Sequence, residues 1–81
     1  MKIYNEPISL NRTAKPPVFV WRGQRYRVLR LVDWWVVQGR WWTAEEKRRV
    51  YLVQARGEID EGYYEIAHSS NRDWLLIRVY D

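Results

Sequence analysis

Arginines stand close to aromatic residues along this chain, and their pairing is the pattern with the clearest chemical use. Guanidinium groups pair with phosphate or carboxylate, and tryptophan rings stack on bases or fill pockets in partner proteins. The candidate binding residues are Arg25, Arg27, Arg40, Trp41, Trp42 and Arg49. The pattern predicts a surface for single-stranded nucleic acid or for a protein. It is also typical of a sheet with arginine on its outer face and apolar side chains inside, so both interpretations stay open.

Residue types for catalysis or metal binding are sparse. The chain has one histidine and no cysteine. His68 directly precedes Ser69, and neighbouring strand residues point to opposite faces, so we expect a turn residue and not a nucleophile with its base. The acidic residues of 58–61 lack the spacing and the glycine of a calcium loop, and the glycines form no phosphate loop. The sequence therefore predicts no enzyme, no catalytic residue, no metal site and no cofactor.

Length and composition limit the classes of protein. The 81 residues make one domain, with 6 tryptophans and 6 tyrosines to build a small core. Without cysteine, no disulfide can stabilise the fold. The net charge is +4, which suits nucleic acid or simply a solvated surface. No apolar run approaches the roughly 20 residues of a membrane span, and the N-terminus lacks the apolar segment of a signal peptide. We therefore expect a cytoplasmic protein without a membrane partner.

Strand signals position the arginines and rings. A hairpin is predicted with one strand over 18–21, a turn at 22–25 and a second strand from Tyr26, with Gly23 supplying the positive φ of the turn. Apolar residues change phase between Tyr26 and Gln38, so this long strand must bend or bulge. Because adjacent strand residues face opposite sides, we expect one of Trp34 and Trp35, and one of Trp41 and Trp42, to face outward unless a loop or bulge intervenes. The outward ring is then either covered by a neighbouring segment or exposed to a ligand.

The rest of the chain alternates short strands with turns. Thr43 and Glu46 have the spacing of a capping box, which allows one short helical turn, after the turn predicted at Gly39. The further predicted elements are a strand over 50–56, an acidic turn over 57–62, a strand over 63–67, a polar turn over 69–73 and a last strand over 74–80. Alternation on that last strand puts Leu76 and Tyr80 on one face and Val79 on the other.

These elements predict an all-β domain. About five or six strands with short connections favour a small antiparallel meander that curls into a partly closed barrel of the SH3 or OB type. The single domain spans residues 1–81, with an N-terminal edge strand and loop over 1–17 and the barrel core over 18–81. In the edge strand, Pro7 is expected to be tolerated because an edge donor can be spared.

The order of several aromatic motifs resembles a known family. The motifs are Phe19-Val20-Trp21-Arg22-Gly23, Tyr26-Arg27-Val28, Gly39-Arg40-Trp41-Trp42, Arg49-Val50-Tyr51-Leu52-Val53, Tyr63-Tyr64-Glu65 and Trp74-Leu75-Leu76. They resemble a small uncharacterised domain that is found alone or at the C-terminal end of ImuB-like proteins, the inactive relatives of Y-family translesion DNA polymerases. The resemblance implies a setting in DNA damage tolerance and supplies no catalytic residue.

Three functions follow as hypotheses. The leading one is a non-enzymatic accessory module that docks onto a protein of the translesion DNA repair machinery. The second is a module that binds single-stranded DNA through the arginines and exposed rings. The third is a structural or regulatory domain with an unrelated partner.

Overall fold

The structure, a computed structural model, describes residues 2–38, 47–69 and 74–80. It contains β1 (Lys2–Asn11), β2 (Val18–Trp21), β3 (Gln24–Gln38), β4 (Lys47–Arg56), β5 (Glu61–Ser69) and β6 (Trp74–Tyr80). Consecutive strands pair antiparallel, and β6 returns to pair with β1, which closes a six-stranded barrel. The predicted small antiparallel barrel is confirmed. The described ranges contain no helix, and the expected turn at Gly39 and capping box at 43–46 lie outside them.

The hairpin between β2 and β3 turns in two residues. Trp21 pairs with Gln24, so only Arg22 and Gly23 form the turn, which is shorter than the predicted one. Their φ angles are 52° and 77°, the left-handed pair that matches strand twist in the tightest hairpins. Gly23 has the predicted positive φ. Arg22 adopts it as well, and its side chain is held by contacts described below.

The N-terminal strand is not an edge. β1 pairs with β2 through Ser9 and Val20, and with β6 through Pro7 and Leu75, so the edge-strand prediction for 1–17 is wrong. A register shift between Ile3 and Glu6, with Asn5 at φ 54°, accommodates the proline by breaking the regular ladder just before it. The barrel is therefore closed by β1, although Pro7 had predicted that this strand lies at a sheet edge.

β3 bends through two irregularities, as its changing phase predicts. The register with β4 shifts between Val28 and Arg30 and again between Leu31 and Asp33. Beyond them Trp34 lies opposite Tyr51, which packs on the core. Trp35 is the next residue along β3, so it lies on the outer face. The two tryptophans therefore face opposite sides, as expected.

The last strand keeps its predicted bounds but not its predicted faces. Arg78 pairs with Glu65 and Leu76 with Ile66, so Ile77 is an extra residue and the alternation changes phase there. Val79 consequently packs on the core cluster that contains Leu76. The prediction that Val79 and Leu76 lie on opposite faces is wrong.

The core is a stack of aromatic rings closed by aliphatic side chains. Phe19 stacks on Tyr26 at 5.0 Å between ring centroids, and Tyr64 meets Phe19 edge-on at 5.8 Å. Phe19 and Leu76 are completely buried. Because each ring removes a large apolar area from water, three rings can fill the centre of so short a chain.

Candidate binding surfaces

Arg25 and Arg27 share the outer face of β3, because Tyr26 between them is buried in the core. Both are exposed, and they line a surface groove of about 470 Å³ together with Lys15 and Arg56. Arg27 lies directly opposite Arg56 on β4, and the Arg56 guanidinium pairs with the carboxylate of Glu61 at 3.3 Å. Glu58 also lines this groove, so its charge is partly balanced. We call Lys15, Arg25, Arg27 and Arg56 the cationic groove.

Arg49 does not belong to the cationic groove. It pairs with Val36, which is nine positions along β3 from Arg27, roughly 30 Å at about 3.3 Å per residue. Arg40, Trp41 and Trp42 lie outside the described residues. The structure therefore brings Arg25 and Arg27 together and puts Arg49 on a different surface.

An apolar surface continues the inner face of the sheet beyond the closed part of the barrel. Leu31, Trp34 and Val36 share this face, because the register shift between Leu31 and Asp33 changes the alternation along β3. Their exposed fractions are 51%, 54% and 50%. Each lies opposite an inner-face position of β4. We call Leu31, Trp34, Val36, Tyr51 and Trp74 the platform. Its β3 side chains remain accessible because β2 pairs with β3 only as far as Arg27.

Aromatic contacts order the floor of the platform. The ring of Trp74 stacks on His68 with centroids 4.3 Å apart and an interplanar angle of 1°, and it lies 5.7 Å from Tyr51. An apolar cleft of about 360 Å³ opens beside Leu31 and is bounded across the gap by Leu10 and Pro17. His68 belongs to β5, so the prediction that it is a turn residue is wrong.

Cations border the platform. A groove of about 370 Å³ is lined by Val36, Lys47, Arg49 and His68. Arg12 lines the apolar cleft at the other end of the platform. No carboxylate lines either depression among the described residues. The platform therefore offers apolar contact in its middle and positive charge at both ends.

A polar cluster occupies the opposite end of the barrel. Glu6 accepts hydrogen bonds from Arg22 Nε at 2.8 Å, from the terminal guanidinium nitrogen Nη2 of Arg22 at 2.6 Å and from Trp21 Nε1 at 2.8 Å. The Arg22 guanidinium also lies 5.1 Å from the Tyr4 ring centroid and 5.0 Å from that of Trp21. These donors, Arg22 first, lower the pKa of Glu6 to about 2. We call Tyr4, Glu6, Trp21 and Arg22 the clamp.

A second polar cluster surrounds the buried carboxylate of Glu65, which contacts Tyr80 and Arg78. Glu65 is 5% exposed and accepts a hydrogen bond of 2.7 Å from the Tyr80 hydroxyl. Arg78 Nε lies 3.9 Å from Glu65. The hydrogen bond to Glu65 and partial burial raise the pKa of Tyr80. The pair neutralises a charge that would otherwise be buried alone, so it serves the packing of β5 on β6.

Sequence reasoning missed most of the platform. It selected arginines beside tryptophans, whereas the exposed apolar surface is formed by Trp34 with two aliphatic neighbours on the same strand. The available signal was the length of the apolar stretch: a strand that runs from Tyr26 to Val37 exceeds what a barrel of this size can pair on both sides. Trp74 joins the platform, and Arg12 borders it, only through tertiary contacts.

The described residues contain no group of three or more histidine, aspartate or glutamate side chains placed to hold a metal ion. They also contain no helix long and apolar enough to cross a membrane.

The fold and surfaces define a small closed β-barrel with an apolar platform at one end. The chain belongs to the family described as domain of unknown function (DUF6504), whose model matches residues 1–81. No curated protein and no solved structure matched the chain.

Proposed function

We propose that this chain is a non-enzymatic interaction module that binds a partner protein through the platform. The observation that carries the proposal is the contiguous exposure of Leu31, Trp34 and Val36 beside an apolar cleft. Soluble domains rarely leave large apolar patches uncovered unless the patch binds something. Binding energy at protein interfaces concentrates in aromatic anchors, and Trp34 stands at the centre of this patch.

The resemblance to the C-terminal domain of ImuB-like proteins supports a partner in the translesion DNA repair machinery, in the cytoplasm. A module that binds a component of that machinery can occupy or compete for the contacts of that component. An unrelated partner is the competing outcome, and the experiment below separates the two.

The test is calorimetric titration of the chain with the ImuB-like protein of the same organism. Trp34→Ala is expected to weaken binding by about 30-fold or more, as for a central aromatic anchor. The matched control is Ile59→Ala, which removes a side chain that is 89% exposed at the other end of the barrel. Equal binding by both variants contradicts the platform, whereas no binding by the parent chain removes this partner.

Single-stranded DNA binding is a second candidate, favoured by the cationic groove. The groove has four cationic side chains that could contact phosphates, and one of them, Arg56, is already paired with Glu61. Its distance from Trp34, about 20 Å along β3, separates it from the exposed ring that would stack a base. Titration with an oligonucleotide at two salt concentrations tests it, because log K must fall with log salt by roughly 0.7 per phosphate contact. A slope that is smaller by roughly 0.7 in Arg25→Ala supports it, and the absence of binding at low salt removes it.

A further inference from the structure

Over the platform, one side of β3 has no partner strand among residues 2–38, 47–69 and 74–80. β4 pairs with β3 as far as Gln38, whereas β2 pairs with it only over Gln24–Arg27. At Val28 the backbone N–H donates to Pro17 O at 2.8 Å, so a loop covers the first position past β2. Beyond that point, none of the six strands in the described part of the chain takes this side of β3. The edge therefore offers backbone groups to an added strand.

A hydrogen bond at Trp34 shows which backbone groups face the edge. Trp34 N–H donates to the carboxylate of Asp33 at 2.8 Å, so it points away from β4. Backbone groups alternate sides along a strand, so those of Val36 face the same way. A side-chain carboxylate thus occupies the place of a partner strand's carbonyl. Charged residues on an edge strand oppose unspecific pairing with other strands, so an added strand must displace the Asp33 carboxylate.

The charges around the edge select the partner's chemistry. Arg12 lies at the Leu31 end of the platform, and Lys47 and Arg49 lie at the Val36 end. An added strand would have its platform-facing side chains between these cations. Apolar side chains fit the middle, and carboxylates fit the two ends.

We propose that the platform binds an extended acidic and apolar peptide segment, which adds a strand to the free edge of β3 over residues 33–38. This inference rests on the proposed function and specifies its partner. Nucleic acid fits less well because its backbone has no amides to pair with the edge, and Leu31 and Val36 have no ring on which a base can stack. A strand added to a sheet edge gains affinity from main-chain hydrogen bonds and specificity from alternate side chains.

The first test pans a displayed library of random peptides, about ten residues long to match a long strand, on the whole chain. Selected peptides are expected to alternate apolar residues with a period of two and to carry Asp or Glu. Selection of basic peptides, or of peptides with helical spacing, would overturn the proposal.

The second test measures the charge requirement with one synthetic selected peptide. Arg49→Glu is expected to lower its affinity about tenfold or more, because it reverses a charge beside the bound strand. Arg25→Glu is the matched control: it makes the same charge change on the cationic groove and is expected to leave affinity within about twofold. Equal losses in the two variants would indicate a general electrostatic effect and contradict the site.

The third test examines the backbone pairing without changing the protein. Two versions of the peptide are N-methylated on alternate residues, so that one lacks the N–H donors that would face β3 and the other lacks those that would face solvent. The first version is expected to lose binding and the second to retain it. Equal affinities of the two versions would show that no strand is added.

Asp33 supplies a fourth test. Asp33→Asn keeps an acceptor for Trp34 N–H but removes the negative charge beside the incoming strand. Affinity for the acidic peptide should rise about two- to threefold, as for one exposed charge interaction. Asp60→Asn, in the exposed turn before β5, is the control and should change nothing. A loss of affinity in Asp33→Asn would contradict the assigned edge.

Other occupants give different results. If sedimentation shows a dimer of this chain that Trp34→Ala dissolves, the edge binds a second copy and the peptide proposal is wrong. If a deoxythymidine oligonucleotide binds in an Arg49-dependent way and no peptide is selected, the partner is nucleic acid. If a folded protein binds the platform in a Trp34-dependent way and no peptide does, only the strand model fails and the proposed function stands.

Discussion

The clamp and the platform stand at opposite ends of one barrel and use the same residue types differently. In the clamp, the rings of Tyr4 and Trp21 meet edge-on at 4.9 Å, and the guanidinium of Arg22 lies over both rings while it pairs with Glu6. At the platform, Trp34 is 54% exposed. In the clamp, the aromatic and basic side chains contact one another. At the platform, Trp34 is left exposed to solvent.

The difference comes from strand length. At the clamp end, β1, β2 and β3 run side by side, so each ring meets a neighbouring strand. At the platform end, β2 and β1 stop or turn away while β3 and β4 continue, so no strand among the described residues covers the inner face of β3 and β4 there. A side chain's type does not decide whether it stabilises the fold or binds a partner. The number of strands that reach it does.

The largest expected contrast is in stability. Phe19 is completely buried in the aromatic stack, so Phe19→Ala should lower the free energy of unfolding by about 3–5 kcal/mol. Urea titration followed by tryptophan fluorescence measures this. A loss below about 1 kcal/mol would show that the ring stack is not the core of the fold.

A glycine next to the stack gives the next effect. A Cβ added at Gly57 would lie 2.8 Å from Cε2 of the buried Tyr26 ring, so Gly57→Ala should destabilise the fold by about 1–3 kcal/mol through overpacking. Gly62→Ala is the control, since its Cβ would meet its nearest neighbour at 3.6 Å. Equal melting temperatures for the two variants would contradict the close packing of the turn against Tyr26.

The clamp predicts a pH dependence. The pKa of Glu6 is about 2 in the folded chain and is higher when the chain is unfolded, so the ionised carboxylate favours folding. Its contribution is complete above about pH 4.5 and disappears as pH falls toward 2. Glu6→Gln should therefore have a flatter melting profile between these pH values, while Glu58→Gln in the exposed turn should follow the parent chain. If the melting temperatures of Glu6→Gln and the parent chain fall in parallel as the pH is lowered, the clamp does not contribute to the stability of the fold.

The smallest expected stability change is at the platform. Trp34→Ala should alter the free energy of unfolding by less than about 1 kcal/mol, because the ring is more than half exposed. Urea titration beside Phe19→Ala checks it. A loss comparable to that of Phe19→Ala would make Trp34 a core residue and remove the basis of the proposed binding surface.

Much of the barrel could be predicted from local chemistry. Gly23 marked the β2–β3 turn, and the phase changes after Tyr26 predicted the bends of β3, because turn geometry and alternation depend on neighbouring residues alone. The shared face of Arg25 and Arg27 follows from the same alternation. The last strand also kept its predicted bounds, although its faces changed at Ile77.

The candidate site was predicted only in part, because its members meet through register and closure. Pro7 suggested an edge, yet a bulge before it lets β1 close the barrel. Arg49 was grouped with Arg25 by composition, while antiparallel pairing carries them to opposite ends. Trp34 stands in the sequence like its neighbour Trp35, and nothing local tells them apart.

By itself, the sequence determined the all-β class, the hairpin turn and the alternation of faces, since each is set by interactions within a few residues. The tertiary structure alone decided that β1 is paired on both sides, that Arg22 clamps Glu6 and that no described strand pairs with one side of the far half of β3. These outcomes depend on where strands of unequal length stop beside one another. That length difference becomes visible only when the barrel closes.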